Sequence, residues 1–264
     1  MIETDIFSVI FCTHILIYAC YSDIKKRSVT NKLWLLMIAA GIPIVSYNMF
    51  ISGIPFLIRF IFSLSFTFVL SYLFFRFNIF GGADAKCLIA ISVLIPVQPS
   101  FTLLSYHFPI NFNSSLMTDP FPFAITTLFN AAFVSLIVPF SIFFYNFLHL
   151  RREELRKNIS SAFIGYKLPI DALTDAKQKN KHVRLVHSYE EKEGNLERRH
   201  SFGGVEIDND VVEMLRDYHK QGKLGEKVWV TPELPFMLFI TAGFFISLFY
   251  GNLIFQSLSF LSVP

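Results

Sequence analysis

The chain has 264 residues, of which 53% are apolar and 16% are charged, and Phe alone contributes 32. A soluble domain carries about 25% charged residues, so an ordinary soluble globule is excluded, and three cysteines are too few for a disulfide scaffold. Gly and Pro, 12 of each, are too few for a collagen-like or disordered chain, which leaves a polytopic membrane protein.

Six stretches are predicted to form transmembrane helices, because a helix that crosses a bilayer needs about 20 mostly apolar residues. They are roughly residues 6–21, 33–51, 55–75, 85–105, 123–148 and 234–255. Pro96 is expected to kink or end the fourth. No basic segment precedes the first stretch, which we interpret as a retained anchor rather than a cleaved signal peptide.

The positions of the basic residues predict the orientation of these helices, because Lys and Arg accumulate on the cytoplasmic side of membrane proteins. Of the 23 Lys and Arg residues, 22 lie in alternate loops, and Arg59 is the exception. Both termini are therefore predicted to lie outside the cell membrane, with residues 149–232 in the cytoplasm. The net charge of +3 gives no reason to expect a nucleic-acid partner.

Residues 149–232 form a polar insert with 16 of the 23 basic and 14 of the 20 acidic residues. The stretch 151–157 is expected to be a juxtamembrane helix, 211–220 has helical spacing, and the very polar stretch 175–199 is expected to be mobile. Glu233 is expected to start the last helix. The predicted fold is an all-α polytopic membrane protein of six transmembrane helices, with a small cytoplasmic α+β domain inserted before the sixth. The predicted domains are 1–148, 149–232 and 233–264.

Two isolated carboxylates are the strongest functional signal. Across the first five predicted helices the only acidic residues are Asp23, Asp84 and Asp119, and Asp119 is expected to be a turn residue in the outer segment. Asp23 ends the first helix and Asp84 starts the fourth, so both are predicted at the cytoplasmic edge of the bilayer, where an ionisable group indicates function. The alternatives are a helix cap at Asp84 and an ion pair between Asp23 and a basic residue at 25–27.

Small residues surround Asp84, which follows Gly81, Gly82 and Ala83 and is followed two residues later by Lys86. They leave room for a substrate backbone, and the glycines are expected to adopt backbone conformations open only to glycine. The alternative is that the glycines merely end the loop after the third helix. Lys86 either lowers the pKa of a carboxyl group, orients the substrate, or extends its ammonium group to the lipid headgroups.

Two aspartates at one depth in the membrane suit acid–base catalysis. Two carboxyl groups a few ångströms apart cannot both ionise easily, so they share a proton. One then acts as general base on a water, the other donates to the substrate carbonyl, and the roles exchange as the amide nitrogen leaves. This is the chemistry of an aspartic protease, and no metal or other cofactor is expected.

Three motifs resemble those of the archaeal preflagellin peptidases, which are part of the type IV prepilin peptidase family of membrane aspartic proteases. The first is YSDIKKR at 21–27, followed by Asn31, and the second is GGADAK at 81–86, similar to the family's Gly-x-hydrophobic-Asp signature. The third is VWVTP followed by LPF within 228–236, typical of archaeal members before their last helix. The order of six helices with a cytoplasmic insert before the sixth agrees as well.

The resemblance implies a peptidase that removes short, basic signal peptides from archaellin or pilin-like precursors. The cut would fall on the cytoplasmic side, just before the precursor's hydrophobic helix. Asp23 and Asp84 would be the catalytic pair, and the partners would be such precursors and the lipid bilayer. Ala83 departs from the strict Gly-x-Gly-Asp form of the family. Bacterial members often carry an N-terminal cysteine cluster and a methyltransferase activity; the cluster is missing here, so that activity is not expected.

Two other functions fit parts of the pattern. Presenilin-like and signal-peptide-peptidase-like proteases share the chemistry, but they resemble each other in a Pro-Ala-Leu segment that this sequence lacks. A proton-coupled transporter or a membrane scaffold would use Asp23 and Asp84 as relay or packing residues. Transporters place polar groups at mid-membrane in paired halves, whereas both aspartates are predicted at one edge.

Overall fold

The computed structural model describes residues 2–103, 105–110, 121–178, 182–192 and 195–261. Asp119, predicted to be a turn residue, lies outside these ranges. The chain divides into two compact units, the first formed by Met1–Ser135 with Pro235–Pro264 and the second by Leu136–Leu234. The predicted domain boundaries after residues 148 and 232 stay predictions.

The chain is mostly helical. In chain order the elements are α1 (Ile2–Lys26), α2 (Asn31–Arg76), α3 (Gly82–Leu94), β1 (Phe101–Leu103), β2 (Tyr106–Phe108), α4 (Phe123–Ser135), α5 (Ile137–His149), α6 (Arg152–Lys157), α7 (Ile159–Ile164), β3 (Tyr166–Pro169), α8 (Ile170–Gln178), β4 (Val183–Lys192), β5 (Asn195–Glu206), α9 (Asn209–Lys220), β6 (Lys227–Pro232), α10 (Phe236–Tyr250) and α11 (Leu253–Leu261). In the first unit α3 lies at the centre, because most of its residues are buried and α1, α2, α4 and α10 all pack against it. α3 is therefore held between these four helices.

The long helix α2 folds back on itself. Its backbone leaves the helical conformation at Gly53 (φ 64°, ψ −149°), and this positive φ favours glycine. The two halves of α2 contact opposite ends of α3. A Cβ on Gly41 would lie 3.0 Å from Val93 near the C-terminal end of α3, whereas Phe74 packs on a cluster that includes Ala85 near the N-terminal end of α3. Gly41 and Phe74 would be about 50 Å apart in a straight helix, far more than the length of α3. The chain therefore reverses at Gly53, between the second and third predicted helices.

Among the residues that the structure describes, three helices are long and apolar enough to cross a membrane, namely Asp5–Lys26, Asn31–Arg76 and Phe123–His149. The apolar helix Phe236–Tyr250 is shorter. The outward faces of these helices carry many exposed Phe, Ile and Leu side chains, and apolar surface of this extent is typical of contact with lipid. The predicted association with a membrane is supported by these helices, and the predicted count of six transmembrane helices is not confirmed.

The structure ends the fourth predicted helix early and starts the sixth late. The fourth predicted stretch runs to residue 105, but its helix ends at Leu94, shortly before Pro96, where a kink or an end is expected, and the chain continues as a β-hairpin; proline strongly disfavours continued helix. The prediction that the sixth helix starts at Glu233 is wrong, because α10 starts at Phe236. Pro235 takes an extended conformation directly before the first turn, where its missing N–H is not needed.

The second unit combines an antiparallel sheet with short helices. The strand order is β3-β6-β4-β5, and apolar side chains of α8 and α9 form a core with those of β4 and β6. A second cluster joins α6 and α7 to β4 and β6. The helices predicted at 151–157 and 211–220 are present as α6 and α9, and the predicted α+β character of this region is confirmed.

The prediction that residues 175–199 are mobile is wrong for the described part of that stretch. The end of α8 is followed by β4 and β5, which pair along most of their length. Leu185, Val186, His187 and Tyr189 are buried in β4, whereas the exposed charges lie at 190–191 and at 197–199 in β5. The charge density of the whole stretch therefore hides the short buried part that marks the strand.

Candidate active site

Asp23 lies in the last turn of α1 and is half-buried. Its Oδ2 accepts a hydrogen bond of 3.4 Å from the backbone N–H of Met237, in the first turn of α10. The N-terminal end of a helix carries a partial positive charge that favours an anion there. The charge of Arg27 also acts on Asp23, so among its basic neighbours Arg27 interacts with the carboxylate, while Lys25 donates to the hydroxyl of Tyr21 at 3.2 Å.

Asp84 is the third residue of α3, and only 7% of it is exposed. Its Oδ2 accepts a hydrogen bond of 3.0 Å from the backbone N–H of Gly81, as a carboxylate does when it caps the start of a helix. The cap considered as an alternative role is therefore present. It occupies one carboxyl oxygen, and Oδ1 forms no hydrogen bond to the part of the chain that the structure describes.

The two aspartates lie close together in the first unit. α1 packs against both α3 and α10, and the charge of Asp23 acts on Asp84. The ring of Phe80, just before the Gly81 loop, stacks on that of Phe236 with centroids 5.9 Å apart. The start of α10 is thus in contact with the segments that carry both carboxylates.

The expectation that Gly81 and Gly82 need conformations open only to glycine is wrong. Gly81 is extended (φ −75°, ψ 161°), a conformation that any residue adopts, and neither glycine has a positive φ. Space is the physical reason for small residues here. A Cβ on Gly81 would lie 3.3 Å from Oδ2 of Asp84, and one on Gly82 would lie 3.3 Å from the ring of Phe75. Ala83 follows them at a half-buried position.

Lys86 is exposed, and its Nζ donates to Oδ1 of Asn31 at 3.0 Å. Asn31 is the first residue of α2, so this bond joins the start of α3 to the start of α2. The sequence predicts a lowered carboxyl pKa, a substrate contact or a contact with lipid headgroups for Lys86, and none of these roles includes this bond.

Sequence reasoning does not place the start of α10 in the site. Pro235 precedes its first turn, Met237 donates to Asp23, and the side chain of Thr241 interacts with that of Cys20, one turn before Asp23. A signal was available, because a proline directly before an apolar run marks a helix start. The predicted topology places that start on the same side of the membrane as both aspartates.

The arrangement suits proton transfer. Two acidic side chains lie close together, and a backbone N–H holds one oxygen of each. The remaining oxygens are those that can accept a proton from water or donate one to a substrate. Within the described ranges, no three or more His, Cys, Asp or Glu side chains form a group that could hold a metal ion.

Comparison with known protein families matches residues 10–148 to the model of the type IV leader peptidase family. This match covers more than half of the chain and includes Asp23 and Asp84. The chain belongs to the type IV leader peptidase family. Residues 157–253 match a second model, described as archaeal peptidase A24 C-terminus type II. The protein is therefore a peptidase.

Individual relatives agree with the family. The chain is 25% identical to the preflagellin peptidase of Methanococcus maripaludis and 27% identical to that of Methanococcus voltae, in each case over 90% of this chain and 92% of the relative. It is also 29% identical to prepilin peptidase EppA of Methanothermobacter thermautotrophicus, over 50% of this chain and 33% of that protein. The resemblance to preflagellin peptidases seen in the three motifs is confirmed.

Proposed function

We propose that this peptidase removes the leader peptide from preflagellin- or prepilin-like precursors, with Asp23 and Asp84 as an aspartic catalytic pair. The observation that carries the proposal is a pair of isolated acidic side chains in a helical bundle, near enough for the charge of Asp23 to act on Asp84. Membership of the type IV leader peptidase family supports leader cleavage. The preflagellin peptidases that match 90% of the chain support the class of precursor.

In the proposed mechanism the two aspartates supply both halves of an acid–base reaction. They share one proton, because ionisation of both carboxyl groups would put two negative charges next to each other, which is unfavourable. The ionised carboxylate takes a proton from a water as its oxygen attacks the scissile carbonyl carbon, and the protonated carboxyl group donates to the carbonyl oxygen. The roles then exchange, and the leaving amide nitrogen receives a proton as the C–N bond breaks.

Backbone donors support this mechanism by orienting both carboxyl groups. The N–H of Met237 holds Oδ2 of Asp23, and the N–H of Gly81 holds Oδ2 of Asp84. Each bond leaves the second oxygen of its carboxyl group for water or substrate. Groups that are oriented before the substrate arrives need not be ordered during the reaction, which lowers its barrier.

The membrane arrangement we propose has six transmembrane segments, with both termini outside and residues 149–232 in the cytoplasm. The 46 residues of α2 would span about 69 Å as a straight helix, about twice the thickness of a bilayer core, and its reversal at Gly53 gives two crossings. α1, α3 with the segment after it, the helix Phe123–His149 and α10 supply the other four. The distribution of Lys and Arg sets the orientation, which puts both aspartates on the cytoplasmic side.

The test uses purified full-length protein incubated with candidate precursors, followed by sequencing of the new N-terminus of each product. We expect cleavage directly before the hydrophobic helix of the precursor. Asp217→Asn is a matched control, because this carboxylate is 65% exposed in the second unit, and it is expected to cleave normally. Asp23→Asn and Asp84→Asn are expected to give no product.

Normal cleavage by either of these two variants would overturn the catalytic pair. A transporter would behave differently from a peptidase in the same preparation. If the unmodified protein cleaves no precursor, and if it carries a proton flux in proteoliposomes that disappears in the two variants, the proposed function is wrong and proton-coupled transport takes its place. The closeness of the two carboxyl groups argues against a relay across the bilayer, since such a pathway needs polar groups spread through its depth.

A further inference from the structure

Lys86 and Asn31 join the two segments that carry the aspartates. The Nζ atom of Lys86 donates to Oδ1 of Asn31 over 3.0 Å, although the two residues are 55 positions apart in the chain. Lys86 follows Asp84 by two residues near the start of α3, and Asn31 follows Asp23 by eight residues at the start of α2. One hydrogen bond therefore connects the neighbourhoods of both carboxyl groups.

The position of Asn31 is tied to Asp23 by the short connection between α1 and α2. The backbone N–H of Arg27 donates to the carbonyl oxygen of Asp23 at 2.9 Å. The hydroxyl of Ser22 donates to the carbonyl oxygen of Ser28 at 2.8 Å. Both bonds hold the connection against the last turn of α1, so Asn31 keeps a defined place relative to Asp23.

The side chain of Asn31 is available to Lys86 because Thr30 caps α2. Thr30 has an extended backbone, and its hydroxyl accepts from the N–H of Lys32 at 3.4 Å. An amide oxygen accepts from an ammonium group without adding a negative charge near the two aspartates. A carboxylate at this place would add a further negative charge, which would disturb the sharing of a proton between them.

We propose that Lys86 is a positioning residue that acts through Asn31 and sets the separation of Asp84 from Asp23. The inference rests on the proposed peptidase function. Asp84 is anchored at the start of α3 by the N–H of Gly81, and Lys86 belongs to the same end of that helix, so a restraint on Lys86 also restrains Asp84. Hydrogen bonds from charged donors are stronger than those between neutral groups, and a displacement of about 1 Å at a catalytic group costs about a hundredfold in rate.

Cleavage kinetics of the full-length protein test this link. Lys86→Met and Asn31→Ala are each expected to lower kcat at least about tenfold while KM stays within about twofold. The double variant is expected to be no slower than the slower single variant, because both changes remove the same hydrogen bond. Lys86→Arg and Asn31→Gln, which keep a donor and an acceptor, are expected to retain most of the rate. Lys32→Met removes a neighbouring exposed lysine and is the matched control.

Losses that add in the double variant, or a raised KM in Lys86→Met alone, would show that Lys86 contacts the substrate and would overturn the proposal. If the kcat of Lys86→Met equals that of the unmodified protein, the proposal is also overturned. These three results differ from failure of the proposed function, in which the unmodified protein cleaves no precursor.

Hydrogen exchange gives a readout that needs no substrate. The amides at the start of α3 are expected to exchange faster in Lys86→Met and in Asn31→Ala than in Lys32→Met, because the restraint on that end of the helix is lost. Unchanged exchange in both variants would overturn the link whether or not a precursor is cleaved.

Discussion

Acid is predicted to destabilise the second unit through His187 in β4. His187 is only 1% exposed, and its ring centroid lies 4.4 Å from that of His200, the residue opposite it on β5. Neither ring nitrogen of His187 has a hydrogen-bond partner in the part of the chain that the structure describes. Burial, with the nearby Arg198 guanidinium and the His200 ring, lowers the pKa of His187 from 6.5 to about 4.

The sign and size of the effect follow from the difference between the two states. In the unfolded chain His187 binds a proton below pH 6.5, whereas in the folded unit its pKa is about 4. The free energy of unfolding therefore falls as the pH drops from 6.5 to 4 and falls no further, through this residue, below pH 4. One pKa unit corresponds to about 1.4 kcal/mol, so the loss amounts to about 3 kcal/mol.

Urea unfolding of the full-length protein measures this loss. The fluorescence of Trp229, which is buried in the second unit, reports unfolding when Trp34 is replaced by Phe. His187→Phe removes the titrating group and keeps a ring. Between pH 7 and pH 4 the free energy of unfolding of this variant is therefore expected to fall by about 3 kcal/mol less than that of the unmodified protein. His200→Phe removes an exposed imidazole and is expected to keep most of the pH dependence. Equal pH dependence in His187→Phe and the unmodified protein would refute the reasoning.

Three further predictions concern packing, a buried amide and activity. Gly243→Ala is expected to lower the melting temperature, because its Cβ would lie 2.4 Å from the backbone oxygen of Thr127 and the strain costs about 1–3 kcal/mol; a melting temperature equal to that of Gly225→Ala, where the space is open, would contradict this. Asn146→Leu is expected to cost about 1–3 kcal/mol, because the buried Asn146 amide donates to two backbone oxygens, one of them that of Gly165 at 2.7 Å; an unchanged urea midpoint would show the bonds to be unimportant. The cleavage rate is expected to be bell-shaped in pH, since one carboxyl group must be protonated and one ionised, and a rate that only rises with pH would argue against a shared proton.

Part of the candidate site is visible in the sequence. The scarcity of acidic residues in the apolar part singles out Asp23 and Asp84, and the distribution of Lys and Arg puts both at one edge. The contact between Asp23 and Met237 spans 214 positions, and no local pattern indicates a pairing at that separation. The small residues at 81–83 indicate that little space is filled there. The sequence does not tell whether glycine is needed because a side chain would be too close to a neighbour or because the backbone has a positive φ, and only the folded chain distinguishes the two.

The fold, like the site, is predictable from the sequence only in part. Long apolar stretches predict α1, α2 and the helix Phe123–His149, because length and composition alone decide whether a helix can cross a membrane. The pairing of β4 with β5 was missed because exposed charges outnumber the buried positions that mark a strand. The early end of α3 is only partly predictable, since Pro96 disfavours further helix but does not reveal the hairpin that follows.

Single-turnover cleavage of a preflagellin-type precursor tests the requirement for both aspartates most directly. The rates to compare are those of the unmodified protein, Asp23→Asn, Asp84→Asn and the double variant, each shown by urea unfolding to be folded. All three variants are expected to be slower by at least about 10³-fold, and the double variant no slower than either single one, because the pair acts as a unit. A rate within about tenfold of the unmodified protein in either single variant, or losses that add in the double variant, would contradict catalysis by this pair.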